Sequence, residues 1–184
     1  MTVRPYLPKD KDDVRYICLN SDGECDLSKR DRHFILTTYC DYFIEKESEN
    51  CFVAVNENDK AIGYIICTEN FDKFKKSFTG EYIQRFRKYE FLRRKHALKS
   101  FVPQENNSKD YPAHLHIDIL PEYQRMGLGH KLTDTLCTHL RNKGVKGVML
   151  TTWVGNKAAR GFYEKYGFKL IKDYKNCVAY GINL

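Results

Sequence analysis

The chain has 184 residues, of which 42% are hydrophobic, and carries a formal net charge of +7 at pH 7. That length suits one compact domain with a single core. No apolar run is long enough to cross a membrane, and the start Met1–Pro5 is not a signal peptide, so we expect a cytoplasmic protein. The seven cysteines include no Cys-x-x-Cys pair, which argues against a disulfide framework and against a metal site of the zinc type.

The N-terminal part of the chain predicts a strand, two helices and a β-hairpin. In order, these elements cover Thr2–Tyr6, about Lys11–Leu19, about Arg30–Glu47, and Cys51–Val55 with Ala61–Cys67. A turn or loop at Asp22-Gly23-Glu24 separates the two helices. Cys51, Cys67 and Cys137 fall within strand or helix patterns, so we expect them to be small buried hydrophobes.

Residues 71–100 form a basic stretch with regularly spaced aromatic side chains. They contain ten Lys or Arg against three acidic residues, an excess equal to the whole net charge of +7. The aromatic positions are Phe71, Phe74, Phe78, Tyr82, Phe86 and Tyr89. We interpret the stretch as an amphipathic helical pair, broken near Gly80, with its aromatic residues packed on the domain. The alternative is a surface for nucleic acid or an acidic protein tail. A polar, mobile loop is expected at Gln104–Asp110.

A strand, a glycine-bearing turn and a long helix follow in the C-terminal half. The strand is His114–Ile119, the turn is Gln124–Gly129, and the buried helix stripe is Leu128, Leu132, Leu136 and Leu140, ending near Gly144. Backbone N–H groups at such a turn, aided by the helix dipole, would hold a diphosphate, and Gly127 and Gly129 would let it approach. The spacing Gln-x-x-Gly-x-Gly matches neither the dinucleotide fingerprint nor the P-loop.

The remaining residues predict a strand, a second helix and a closing hairpin. We expect the strand at Val145–Thr152 and the helix from Gly155-Asn156 to Gly167, with Asn156 as its cap. The hairpin strands are expected at Phe168–Ile171 and Cys177–Ile182, joined by a turn near Asp173–Asn176.

This order of elements resembles the GNAT superfamily of acetyl-CoA-dependent N-acetyltransferases. The resemblance rests on Gln-Arg-Met-Gly-Leu-Gly and on Asn156-Lys-Ala-Ala-Arg-Gly-Phe-Tyr-Glu-Lys-Tyr-Gly-Phe168, and covers about residues 111–170. It implies an α/β fold with a central mixed, mostly antiparallel sheet of six to seven strands flanked by helices. It also implies one domain over 1–184 with a helical insertion at about 69–110. The run Tyr111–Pro121 is similar to acetyltransferase-like modules found beside bacterial O-GlcNAc hydrolases.

The resemblance implies acetyl-CoA as co-substrate and no metal. The backbone of the strand before the turn would pair with the pantetheine arm, and one of its amides would face the thioester oxygen. The predicted cofactor contacts are Ile117, Ile119, Gln124, Arg125, Met126, Gly127, Leu128, Gly129, His130, Asn156 and Phe162.

The resemblance also suggests the catalytic residues. Tyr163 occupies the position of the general acid, whose phenol reaches the CoA sulfur. The glutamate common in the family aligns with Ala113, so the base must be sought elsewhere on the strand. His114, His116 and Asp118 should share one face unless a bulge shifts the register. Similar histidines relay the proton in serotonin-type N-acetyltransferases, and Asp118 matches the hydrolase-associated modules, so His116 and Asp118 are the candidates near the acceptor. Each of these side chains could instead be purely structural.

Three functions follow as hypotheses. The first is an N-acetyltransferase that moves acetyl to a primary amine by direct attack in a ternary complex. Its acceptor would be a small amine, an amino sugar or a protein lysine, and the protein would be a monomer or homodimer. The second is a catalytically weak or degenerate GNAT domain acting as an interaction module. The third is a nucleic-acid-binding protein, and the absence of a recognisable reading motif in residues 71–100 argues against it.

Overall fold

The structure is a computed structural model that describes residues 1–23 and 26–184. Its strands are β1 Thr2–Pro5, β2 Cys51–Val55, β3 Ala61–Thr68, β4 Ala113–Ile119, β5 Gly147–Trp153, β6 Lys169–Tyr174 and β7 Cys177–Asn183. They form one seven-stranded sheet in the order β1-β2-β3-β4-β5-β7-β6. Neighbouring strands are antiparallel except β4 and β5, which are parallel. The predicted mixed, mostly antiparallel sheet is confirmed.

The helices among the described residues flank this sheet. They are α1 Lys11–Asn20, α2 Lys29–Tyr39, α3 Asp41–Lys46, α4 Phe71–Gly80, α5 Phe91–Ser100, α6 Val102–Asn107, α7 Leu128–Asn142 and α8 Lys157–Tyr166. The insertion predicted before the fourth strand is present as α4, α5 and α6, and α4 ends at Gly80 as expected. No helix in the described part of the chain is long and apolar enough to cross a membrane.

The sheet separates two clusters of buried side chains. Helices α1 to α5 contribute to the cluster on one face, and α7 and α8 to the cluster on the other. β4 serves both: Ala113 and Leu115 belong to the second cluster, whereas the His114 ring lies 4.7 Å from the ring of Phe74 in the first. The predicted alternation of faces along this strand is therefore confirmed.

Two predicted elements differ from the structure. The helix expected at Arg30–Glu47 breaks at Cys40, because residues 41–44 are all buried and a straight amphipathic helix cannot bury four consecutive side chains. The prediction of a loop at Gln104–Asp110 is wrong over its first half, because α6 continues to Asn107. There Pro103 occupies the first turn, where its missing N–H costs nothing, and the Gln104 side chain is buried.

The structure agrees with the predicted turn at Gly23 and with the predicted burial of three cysteines. Gly23 has a φ of +107° and lies in the turn that follows α1. Glu24, the last residue of the predicted turn, lies outside the described residues, as does Cys25. Cys51, Cys67 and Cys137 are fully buried and free, as expected of small hydrophobes.

Candidate active site

The central feature is a gap between β4 and β5. Within the described ranges the two strands pair only at Ala113–Val148 and His114–Met149, and then diverge. A cavity of about 150 Å³ lies where they separate. Both strands and α8 line it, through Leu115, His116, Ile117, Asp118, Leu150, Thr151, Thr152, Asn156, Ala159 and Tyr163.

The backbone of β4 faces this gap at alternate residues. The N–H of Leu120 donates to the carbonyl of Ile62 at 3.0 Å, and the β3–β4 register continues without a bulge. Alternation in an antiparallel ladder then directs the backbone groups of Ile117 and Ile119 away from β3 and into the gap. This is the direction that pairing with a pantetheine arm requires.

The turn after β4 presents a row of free amides. Arg125 and Gly127 have φ values of +61° and +80°, and α7 begins at the next residue, Leu128. No group in the described part of the chain accepts from the N–H groups of Arg125 to His130. Successive amides in such a conformation, at a helix N-terminus, form a cradle that fits an anion.

The residues of the turn contribute in different ways. A Cβ on Gly127 would meet nothing within 4 Å, so this glycine is needed for its positive φ. A Cβ on Gly129 would lie 3.1 Å from the Phe162 ring, so that glycine is needed for close packing of α8 on α7. The Leu128 side chain is buried in the core, which leaves only its N–H for a ligand. Met126 is 53% exposed beside the cradle.

Two aromatic residues frame the same helix start. The His130 ring lies 5.1 Å from the ring of Phe162 and 5.6 Å from that of Tyr166. His130 and Arg125 are both exposed next to the free amides. The predicted cofactor residues Arg125, His130 and Phe162 therefore lie near the start of α7.

Gln124 does not fit the role of a free phosphate ligand. Its Nε2 donates to the carbonyl oxygens of Ile119 at 2.9 Å and Ser21 at 3.0 Å. Both amide hydrogens are therefore committed within the protein.

Asp118 combines burial with specific hydrogen bonding. Burial raises the pKa of this carboxyl to about 7, and donation from the Tyr64 hydroxyl opposes that rise. A carboxyl whose pKa lies near neutrality can accept a proton at neutral pH.

The two histidines of β4 differ in their access to the cavity. His116 lines it, burial lowers its pKa to about 4, and its Nε2 has no partner among the described residues. His114 is buried among Phe43, Phe71 and Phe74, and burial lowers its pKa well below the usual value. Both rings are therefore neutral at physiological pH, and His116 alone of the two lines the cavity.

The helix α8 supplies the opposite wall. The Asn156 side chain caps the helix by accepting from the N–H of Ala159 at 3.0 Å, as predicted. Tyr163 is buried to 8% exposure and lines the cavity, and burial raises the pKa of its phenol, so the hydroxyl stays protonated at neutral pH. The three predicted catalytic residues thus lie around one cavity.

Sequence reasoning did not identify Tyr64, whose hydroxyl donates to Asp118. Tyr64 reaches Asp118 because β3 pairs with β4 in a register that places the two residues opposite each other. The alternation of β3 is obscured because all its residues are buried, so no signal in the sequence singled out this tyrosine.

The chain matches the family described as Acetyltransferase (GNAT) over residues 17–168. It is 27% identical over 142 residues to N-alpha-acetyltransferase 30 of Schizosaccharomyces pombe, covering 77% of this chain and 70% of that protein. The crystal structure of SsHAT is similar, with a TM-score of 0.86, 25% identity, and coverage of 99% of this chain and 97% of that one. The NatC complex bound to Gag peptide and CoA has a similar fold, with a TM-score of 0.61, 15% identity, and coverage of 100% and 98%.

Proposed function

The chain belongs to the acetyltransferase (GNAT) family, and from that membership we propose that it moves acetyl from acetyl-CoA to a primary amine by direct attack in a ternary complex. The observation that carries this proposal is that Asp118, His116 and Tyr163 line one cavity in the gap between β4 and β5. The free amides of Arg125 to His130 would hold the diphosphate. The backbone of Ile117 and the N–H of Ile119 would pair with the pantetheine arm, since the Ile119 carbonyl already accepts from Gln124.

Asp118 is the better of the two candidates for the base. A proton acceptor works best when its pKa lies near the operating pH, and the Asp118 carboxyl has a pKa of about 7. His116 has a pKa of about 4 and would bind a proton only weakly. We therefore assign proton removal to Asp118 and contact with the acceptor to His116.

The proposed reaction is a direct acyl transfer. The amine nitrogen attacks the thioester carbonyl, a C–N bond forms as the carbonyl π electrons move to the oxygen, and the nitrogen loses one proton to Asp118. A backbone N–H in the gap stabilises the negative charge on the carbonyl oxygen. The carbonyl re-forms as the C–S bond breaks, and the Tyr163 hydroxyl donates a proton or a hydrogen bond to the leaving sulfur. Asp118 then returns its proton to solvent, and a proton that Tyr163 has given is replaced from solvent.

The acceptor is best sought among four classes of amine. N-alpha-acetyltransferase 30 and the Gag-peptide-bound NatC complex favour a peptide N-terminus. The resemblance of Tyr111–Pro121 to O-GlcNAc-hydrolase-associated modules favours an amino sugar, and small amines and lysine side chains complete the set.

The test is a thiol-release assay with acetyl-CoA and a panel of these acceptors, followed by initial rates at several concentrations of both substrates. We expect intersecting double-reciprocal lines, because both substrates must be bound before transfer. Parallel lines would indicate an acetylated enzyme instead. Binding of acetyl-CoA with no release above the no-enzyme rate for any acceptor class would favour a degenerate domain.

A further inference from the structure

The side chain of Gln104, in α6 of the insertion, is buried and incompletely hydrogen-bonded. It is 2% exposed, and its Nε2 donates to the hydroxyl oxygen of Thr151 at 3.5 Å, whereas its Oε1 has no partner among the described residues. A hydroxyl can donate or accept, so either orientation of the amide leaves one of its polar atoms unpaired. A buried polar atom without a partner is unfavourable, and in a binding site a ligand can supply the missing hydrogen bond.

Thr151 connects this amide to the cavity. It lines the cavity two residues beyond the last β4–β5 pair, and is level with His116 across the gap. Its neighbour Leu150 belongs to the cluster beneath α7 and α8, so alternation along β5 turns Thr151 to the opposite face, which is the face of His116 and the insertion. The Nε2 of His116 is likewise unpaired among the described residues. Two polar groups on this side of the gap therefore lack partners.

The charges around the cavity indicate what kind of group would bind there. Asp118 is the only carboxylate among the described residues that line it, and the proposed reaction uses it as the base. The insertion is basic, since residues 71–100 carry ten Lys or Arg against three acidic residues. A second cationic group on the acceptor would therefore find no counter-charge, whereas a hydroxyl or an amide could pair with Gln104 and His116.

We propose that Gln104, together with His116, binds a neutral polar group of the acceptor, a hydroxyl or an amide close to the reacting amine. The favoured acceptors are then an amino sugar or a peptide N-terminus, rather than a polyamine or a lysine side chain, whose amine ends an alkyl chain. The inference rests on the proposed function for the presence of an acceptor in this cavity, but binding at Gln104 can be measured without turnover.

The test is ¹H–¹⁵N NMR of the protein saturated with CoA, in which the side-chain amide signals of Gln104 are assigned by their loss in Gln104→Met. We expect glucosamine or an alanine-initiated peptide to shift these signals, and butylamine at the same concentration to leave them in place. In the thiol-release assay, Gln104→Met should lower kcat/KM for the better of the two acceptors by about tenfold or more, because the acceptor loses a hydrogen bond in the site. The affinity for acetyl-CoA should not change. Asn106→Ala, an exposed change in the same helix, is the matched control and should alter neither quantity.

The stability of Gln104→Met separates a binding role from a structural one. Methionine has a similar length and removes the unpaired atom, so the melting temperature should equal or exceed that of the wild type. A melting temperature lower by about 4 °C or more, or a failure to fold, would show that the amide is satisfied within the fold and would overturn the proposal. So would Gln104 signals that stay in place with both glucosamine and the peptide. An absence of thiol release from a protein whose Gln104 signals respond would refute the proposed function and leave the binding site in place.

Discussion

The ring of Tyr163 is packed in the core, whereas its hydroxyl donates no hydrogen bond to any described residue. Its ring lies 5.3 Å from that of Phe162, 5.8 Å from that of Phe168 and 6.0 Å from that of Tyr180. The packing can therefore be kept while the hydroxyl is removed, which separates a catalytic from a structural role.

We predict that Tyr163→Phe lowers turnover by about 10²- to 10⁴-fold, the usual contribution of a positioned acid. The affinity for acetyl-CoA, measured by calorimetry, should change by less than about threefold, and the melting temperature should be nearly unchanged because the ring contacts remain. Tyr180→Phe is the matched control, since the Tyr180 hydroxyl donates to Glu164 at 2.6 Å outside the cavity. Equal turnover in Tyr163→Phe and wild type would make the phenol structural.

The sequence could suggest Asp118 as a candidate base, but it could not show the environment that raises the pKa of its carboxyl. Alternation along β4 and the family resemblance placed Asp118 and His116 on one face. The choice between them depends on burial and on Tyr64, which lies in a strand far away in sequence. Only the register of β3 against β4 reveals that contact.

Among the elements, the turn from Gln124 to Gly129 has the most direct link to binding. The pattern of glycines predicted the turn correctly, but both were expected to make room for phosphate. Gly127 supplies the left-handed conformation next to the free amides, whereas Gly129 accommodates the Phe162 ring. A charge placed at Gly129 would therefore disturb the contact between α7 and α8, and Gly127 is the cleaner site for a test.

We predict that Gly127→Asp weakens acetyl-CoA binding by about tenfold or more, because it adds a negative charge at the helix N-terminus where a diphosphate would lie. Gly144→Asp is the matched control. Gly144 has a φ of +73°, has open space around it and lies just after the other end of α7. Gly144→Asp therefore introduces similar backbone strain and the same charge as Gly127→Asp, but far from the cradle. Equal affinity of the two variants in calorimetry would contradict a diphosphate site at this turn.

The element boundaries that sequence reasoning missed share a physical cause. The break at Cys40 and the helix α6 both depend on burial against the sheet and the insertion, which local patterns do not contain. Residues such as Gln104 are polar in sequence and buried in the structure. The strongly periodic α7 required no such information and was predicted correctly.

For the whole molecule, the net charge of +7 equals the excess positive charge of residues 71–100, which lie within the insertion. Its aromatic residues Phe71, Phe74 and Phe78 are buried to 2% exposure or less, and Tyr82 and Phe86 are buried as well. Tyr89 differs from the expectation, being 59% exposed. The buried rings are not available to stack on bases, which supports the interpretation of the stretch as a helical cover on the domain.

We predict that the protein does not bind nucleic acid specifically. Fluorescence anisotropy with arbitrary duplex DNA and single-stranded RNA should give dissociation constants of about 10⁻⁶ M or weaker at physiological salt, as for non-specific attraction to a basic surface. The opposite result would be tight binding that depends steeply on salt and is lost when Lys88, Arg94 and Lys95 are changed to Gln. That result would make the insertion a nucleic-acid-binding surface.

Removal of a proton from the acceptor by Asp118 is the step on which the proposed reaction depends. The most direct test is the pH dependence of turnover with both substrates saturating, which reports groups in the bound complex. Burial raises the pKa of Asp118 to about 7, so the base is lost as pH falls through that value, and turnover should decline on the acid side of pH 7. Asp118→Asn should lower turnover by about 10²- to 10⁴-fold and abolish this dependence. An Asp118→Asn variant that keeps the wild-type rate and the same acid limb would contradict the assignment.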